Sequence, residues 1–92
     1  MNVVLLLLQL NTDKAMPTFF TIEGVKIQLF YKDHAPPHFH TKFAEHKSII
    51  RIDSLEIIEG SLPKNKKKLI LEWAKENKGT LEEIWNDLNP KL

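Results

Sequence analysis

The chain has 92 residues, 13 basic and 12 acidic side chains, a net charge of +1 and no cysteine. That length supports one domain with one core, and the lack of cysteine excludes a disulfide framework and thiolate chemistry. Balanced charge gives no general steering toward nucleic acid or anionic lipid, and 42% apolar with 27% charged residues is the composition of an ordinary soluble globular protein.

Residues 3–8 are apolar throughout, with Leu10 close behind. The run is far shorter than the roughly 20 residues a membrane span needs, and it lacks a basic flank or a small-residue cleavage site. It reads as an extra strand or helix turn packed on the domain or a partner, or as an upstream extension, and such a run favours self-association. A polar linker covers residues 11–15, and the patterned part begins at Met16-Pro17. The chain therefore divides into an apolar extension, 1–15, and a single domain, 16–92.

Residues 18–23 are rich in β-branched and aromatic types and predict a first strand. Gly24 breaks it and suggests a hairpin into residues 25–32. There Val25, Ile27, Leu29 and Tyr31 alternate with Lys26, Gln28, Phe30 and Lys32, the pattern of a half-buried strand.

Next comes Asp33-His34-Ala35-Pro36-Pro37-His38-Phe39-His40, which holds three of the four histidines. Each proline fixes its own φ, and each pushes the preceding residue out of the helical region, so the stretch predicts a stiff corner. Residues 38–45 then alternate as a strand, with His38, His40 and Lys42 on one face and Phe39, Thr41 and Phe43 on the other. If the phenylalanines face the core, both imidazoles point outward, and His34 can fold back across the corner. Imidazole suits zinc, copper, iron and nickel, so His34, His38 and His40 are candidate ligands of a divalent metal, with Asp33, Glu45 or Asp53 to complete the shell. His34, His38, His40 and Lys42 are also the candidates for acid–base catalysis. The plain structural alternative is that these histidines hydrogen-bond to backbone and shape a loop.

Residues 48–53 and 55–59 predict either a hairpin turning at Asp53-Ser54 or one long bent strand, ended by Gly60. The chain closes with two helices. Ser61 is a candidate cap and Pro63 suits a helix start, with Leu69, Ile70, Trp73 and Ala74 as the buried stripe. Lys64, Lys66, Lys67 and Lys68 crowd the first turns, where the helix dipole is already positive; they are the candidate contacts to nucleic acid or an acidic partner. Gly79 is the expected left-handed C′ residue, and Thr80-Leu81-Glu82-Glu83 the expected capping box of a second helix. Leu81, Ile84, Trp85 and Leu88 share its apolar face. The fold class expected is α+β: an antiparallel meander of four to five strands followed by two helices on one face.

Several of these features together carry a family resemblance: Met16-Pro17-Thr18, the Asp33–His40 stretch with its Pro-Pro-His-Phe-His core, Ile49 and Ile50 leading to Leu55 and Ile58, Glu59-Gly60-Ser61-Leu62-Pro63, and Leu71-Glu72-Trp73-Ala74. From Met16 onward the chain resembles the bacterial domain-of-unknown-function 4160 family. The resemblance implies a small bacterial cytoplasmic protein, found beside other small domains and toxin–antitoxin-like gene pairs, and it carries over no catalytic residue.

Three functional readings follow. The first is a non-enzymatic interaction or regulatory module, as a homo-oligomer, with a small protein partner, or in a toxin–antitoxin-like pair, and without a membrane. The second is a histidine-based, metal-dependent hydrolase acting on a phosphoester or nucleic acid. The third is nucleic-acid binding through the lysine cluster and the histidine face.

Overall fold

The computed structural model describes residues 18–90, the first two through their backbone alone. The expectations for residues 1–15 lie outside the described residues. Strands β1 (Thr18–Ile22), β2 (Val25–Leu29), β3 (His38–Phe43), β4 (His46–Arg51) and β5 (Ile57–Gly60) form one sheet in the order β1-β2-β3-β4-β5. Every neighbouring pair is antiparallel. Helices α1 (Lys64–Glu76) and α2 (Lys78–Leu88) follow, so the architecture is the α+β meander expected from the sequence. None of the described helices is long and apolar enough to cross a membrane.

Local chemistry explains the hairpins. Glu23 and Gly24 have φ of 45° and 85° between the paired residues Ile22 and Val25. Positive φ at both central positions is the type I′ geometry whose twist matches the flanking strands. The β3–β4 turn closes at the Phe43–His46 pair with Ala44 at φ 53°. Residues 48–59 form the hairpin rather than the bent strand: the Arg51 N–H donates to the Glu56 carbonyl at 2.9 Å, and Leu55 takes φ 59°.

The core lies on the helix side of the sheet. Val25, Ile27, Leu29, Phe39, Ile50 and Ile52 are fully buried there with Ile70, Ala74, Leu81 and Ile84. Each buried aliphatic or aromatic side chain of this size contributes roughly 1.5–3 kcal/mol of transfer free energy. Trp73 packs between Phe20 and Phe39, with ring centroids 5.7 and 6.5 Å away.

Four local expectations are corrected. Strand β2 stops at Leu29, and Tyr31 is 40% exposed rather than in the core. The chain is diverted there because the Lys32 N–H donates to the Leu88 carbonyl at the end of α2, and Lys32 itself takes φ 54°. Ser61 does not cap α1; Pro63 stands at the N-cap with no side-chain cap bond. Gly79 and Thr80 are not boundary residues but lie inside α2. A single residue, Asn77, joins the two helices: its N–H reaches the Trp73 and Ala74 carbonyls while its own carbonyl accepts from Leu81. That junction satisfies helix-end groups without the glycine or the threonine.

Candidate metal centre

The diproline corner is fixed by its own carbonyls. The Ile52 N–H donates to Pro37 O at 3.1 Å, tying the corner to the end of β4. Nδ1 of His38 lies 2.7 Å from Pro36 O. The Ala35–Pro36 peptide is cis. On the other side, α2 holds the segment that precedes the corner. The Asn89 side chain accepts from the Asp33 N–H and donates to the carbonyls of Phe30 and Trp85, both at 3.2 Å. Asp33 and the start of β3 are thus held by separate anchors, one in each half of the fold.

Between those anchors three side chains converge. Asp33 Oδ2 is 2.9 Å from His38 Nε2 and 3.3 Å from His40 Nε2. One ligand-type atom from each residue falls within 4.8 Å of the others. A carbonyl oxygen only accepts, so the Pro36 contact assigns a proton to His38 Nδ1 and leaves Nε2 as the ring atom on the Asp33 side. That Nε2 is buried and makes no hydrogen bond, because the nearby carboxylate oxygen lies off the direction a ring N–H would take. A second, pre-assigned hydrogen bond on the far ring nitrogen is what orients metal-ligating histidines.

Burial pushes the Asp33 carboxyl upward, but the His34 N–H, the His40 imidazole and the charges of His38 and His40 outweigh it, and its pKa ends below the ordinary value. The site favours a carboxylate. His38 is 1% exposed and rests on Trp85, with ring centroids 5.0 Å apart. His40 stays partly open and meets the Phe30 edge at 4.6 Å.

The expectation that both imidazoles point outward is therefore corrected for His38. Pairing of β2 with β3 ends at Gln28–His40, and Trp85 of α2 packs on His38 beyond that pair. His34 is exposed, its Nε2 3.8 Å from Asp33 Oδ1 and its ring tilted beside that of His38. Of the three candidate carboxylates, Asp33 joins the histidines. Glu45 is exposed in the β3–β4 turn, and Asp53 is held by Arg51 through bonds of 2.9 and 2.7 Å. Lys42 is exposed on the face of β3 that carries His40. In the helix cluster, Lys66 donates to the Glu23 carbonyl at 2.9 Å and sits 5.0 Å from the Phe43 ring, while Lys64, Lys67 and Lys68 are exposed. Asn89 and the contact from Trp85 were not legible beforehand: an Asn before Pro reads as a helix stop, and an apolar Trp as core.

Residues 24–86 match the model of a family described as a domain of unknown function, DUF4160. The chain belongs to that family. No curated protein and no solved structure matches it. The match spans every element of this DUF4160 domain from β2 through most of α2, and so contains all three converging residues. On one side of the cluster, His40 also lines a groove of about 550 Å³ on the outer face of the sheet. On the other, Asp33 lines a smaller depression of about 380 Å³ with Tyr31, Trp85 and Asn89. The cluster is thus buried at His38 and reachable from solvent at its other two members.

Proposed function

We propose that this DUF4160 domain binds one divalent first-row transition metal ion through Asp33, His38 and His40. The observation that supports it is the buried Nε2 of His38, which makes no hydrogen bond, beside a carboxylate oxygen. His38 Nε2 and the Asp33 oxygen stand 2.9 Å apart with no hydrogen bond between them, and a cation bound to both would satisfy the two at once. With bonds of about 2.1 Å, two ligand atoms stand about 3.0 Å apart at a right angle and about 3.4 Å apart at a tetrahedral angle. The separations of 2.9 and 3.3 Å fall on those values. Two imidazoles and one carboxylate are the donors that zinc and ferrous iron accept, and three protein donors leave a position for water or substrate.

The metal reading also bears on the two broader ones. In the hydrolytic version, a metal held by Asp33, His38 and His40 would supply Lewis acidity toward a phosphoester, with Lys42, on the same face of β3, as the anion-binding side chain. In the interaction or regulatory version, including a toxin–antitoxin-like pair, the metal would set the shape of the corner a partner reads.

Elemental analysis tests the proposal. Protein made without an affinity tag, loaded with Zn²⁺ and dialysed, should retain about one metal per chain. His40→Ala and Asp33→Asn should each lose it, while His34→Ala should keep it. Less than a tenth of an equivalent with Zn²⁺, Fe²⁺, Co²⁺ and Ni²⁺ in turn would mean the pair is an imidazolium–carboxylate contact and would end the metal reading.

A further inference from the structure

A different feature of the same face points to a ligand. Lys26 is paired directly with Lys42, and Lys42 directly with Lys47, across three adjacent strands. Residues directly opposite in an antiparallel sheet share a face, with Cβ atoms about 5 Å apart, and like charges so placed repel. All three lysines are exposed. The exposed Lys42–Lys47 pair is unfavourable in the isolated domain, and a polyanion laid across it removes that penalty. The next row on this face is Gln28, His40, Ile49 and Glu59. Lys42 and Lys47 of the first row and all four residues of the second line the groove of about 550 Å³, with Phe30 beside them and no helix residue in its walls; Lys26 flanks it on β2.

From this we infer that the outer face of the sheet binds single-stranded nucleic acid, its phosphates on Lys26, Lys42 and Lys47 and a base against Phe30 and Ile49. Charge complementarity selects a polyanion. The partly exposed aromatic ring and the apolar Ile49 beside it select unstacked bases, which stack on aromatic side chains, over a duplex whose bases are already stacked. Glu59, at the β5 end of the second row, disfavours phosphate there and keeps the backbone on the lysine side. His40 lies about 7 Å from the lysine row along β3, so the bound strand passes the candidate metal centre. The inference goes beyond the metal proposal and does not need it. It also differs from the expectation placed on Lys64, Lys66, Lys67 and Lys68, which belong to α1 and line no part of the groove.

Fluorescence anisotropy with a labelled 12-nucleotide single strand tests it, using the full chain in EDTA so that metal plays no part. Binding should weaken with salt, with a log–log slope of about −2 for three phosphate contacts on a single strand. In the Lys42→Gln/Lys47→Gln variant affinity should fall at least tenfold and the slope should shrink to about −0.7. A Lys64→Gln/Lys67→Gln/Lys68→Gln variant should bind like the wild type. The inference is overturned by no binding at 50 mM salt, or by loss of binding in the α1 variant alone. It is equally overturned by nuclear Overhauser contacts in the free protein between the leucines of residues 5–8 and Ile49, which would make the chain's own start the occupant of the groove.

Discussion

His38 commits its Nδ1 proton to the Pro36 carbonyl at 2.7 Å, and by doing so places its Nε2 2.9 Å from Asp33. The acceptor is a backbone atom of the proline corner, so the ring's orientation is set by the chain's path rather than by a neighbouring side chain. The corner is stiff because two successive residues have φ fixed by their rings. Trp85 closes the other side of the imidazole. The result is a buried ring nitrogen whose position and surroundings are fixed by the fold itself.

A ligand that binds only the folded chain raises its stability. At a free concentration one hundred times its dissociation constant, one metal ion stabilises by about 2.7 kcal/mol. For a domain of this size that corresponds to a rise in Tm of at least about 10 °C, since 1 kcal/mol shifts Tm by roughly 4–8 °C. Differential scanning fluorimetry with Zn²⁺ should show that rise in the wild type and in His34→Ala, and less than about 2 °C in His40→Ala.

Inside the sheet, Thr41 and Ser48 are both buried, and their hydroxyls meet at 2.6 Å. Removing one leaves the other without its partner, which costs about 1–3 kcal/mol, whereas replacing both by apolar groups is nearly neutral. Urea denaturation should show Ser48→Ala destabilised within that range. Thr41→Val/Ser48→Ala together should lie closer to the wild type than either single variant, and strict additivity would contradict the pairing.

The two turn glycines should not be equivalent. Gly24 has φ +85°, and a Cβ there would come no nearer than 3.4 Å to the Phe43 ring. Gly60 has φ +78°, and a Cβ there would stand 2.0 Å from the Lys47 carbonyl oxygen, a backbone atom that cannot swing aside. Gly24→Ala should therefore cost only the left-handed strain of about 1–2 kcal/mol. Gly60→Ala should cost clearly more and loosen β5, visible as faster amide exchange at Ser61, whose N–H is bonded to the same Lys47 carbonyl at 3.0 Å.

Asp53 gives the pH dependence. The Arg51 guanidinium, bonded to its carboxylate, lowers its pKa to about 2. A carboxylate whose folded pKa is depressed adds stability above its ordinary value of 3.8, and that contribution disappears as pH falls from 3.8 through about 2. Side-chain NMR titration should place the Asp53 midpoint near the lower value. Arg51→Gln should return it toward 3.8 and abolish this part of the acid sensitivity.

Much of the fold follows from local pattern. The alternation of Val25, Ile27 and Leu29 against Lys26 and Gln28 is legible because a strand repeats every two residues, and the stripe of Leu81, Ile84, Trp85 and Leu88 because a helix repeats every 3.6. Both depend on near neighbours in the chain. The helix junction departs from local pattern for the opposite reason. Gly79, Thr80 and Glu83 carry strong boundary signals, yet Asn77 alone satisfies the ends of both helices once α1 and α2 are packed.

The meander, the paired helices and the histidine-rich corner follow from local pattern, since prolines, glycines and side-chain periodicity act within a few residues. Which groups share a point in space is settled by long-range packing. Asn89 draws Asp33 in from 56 residues away, Trp85 buries His38, and strand register lines up Lys26, Lys42 and Lys47. Those relations arise when distant segments fold against one another, and no local repeat encodes them.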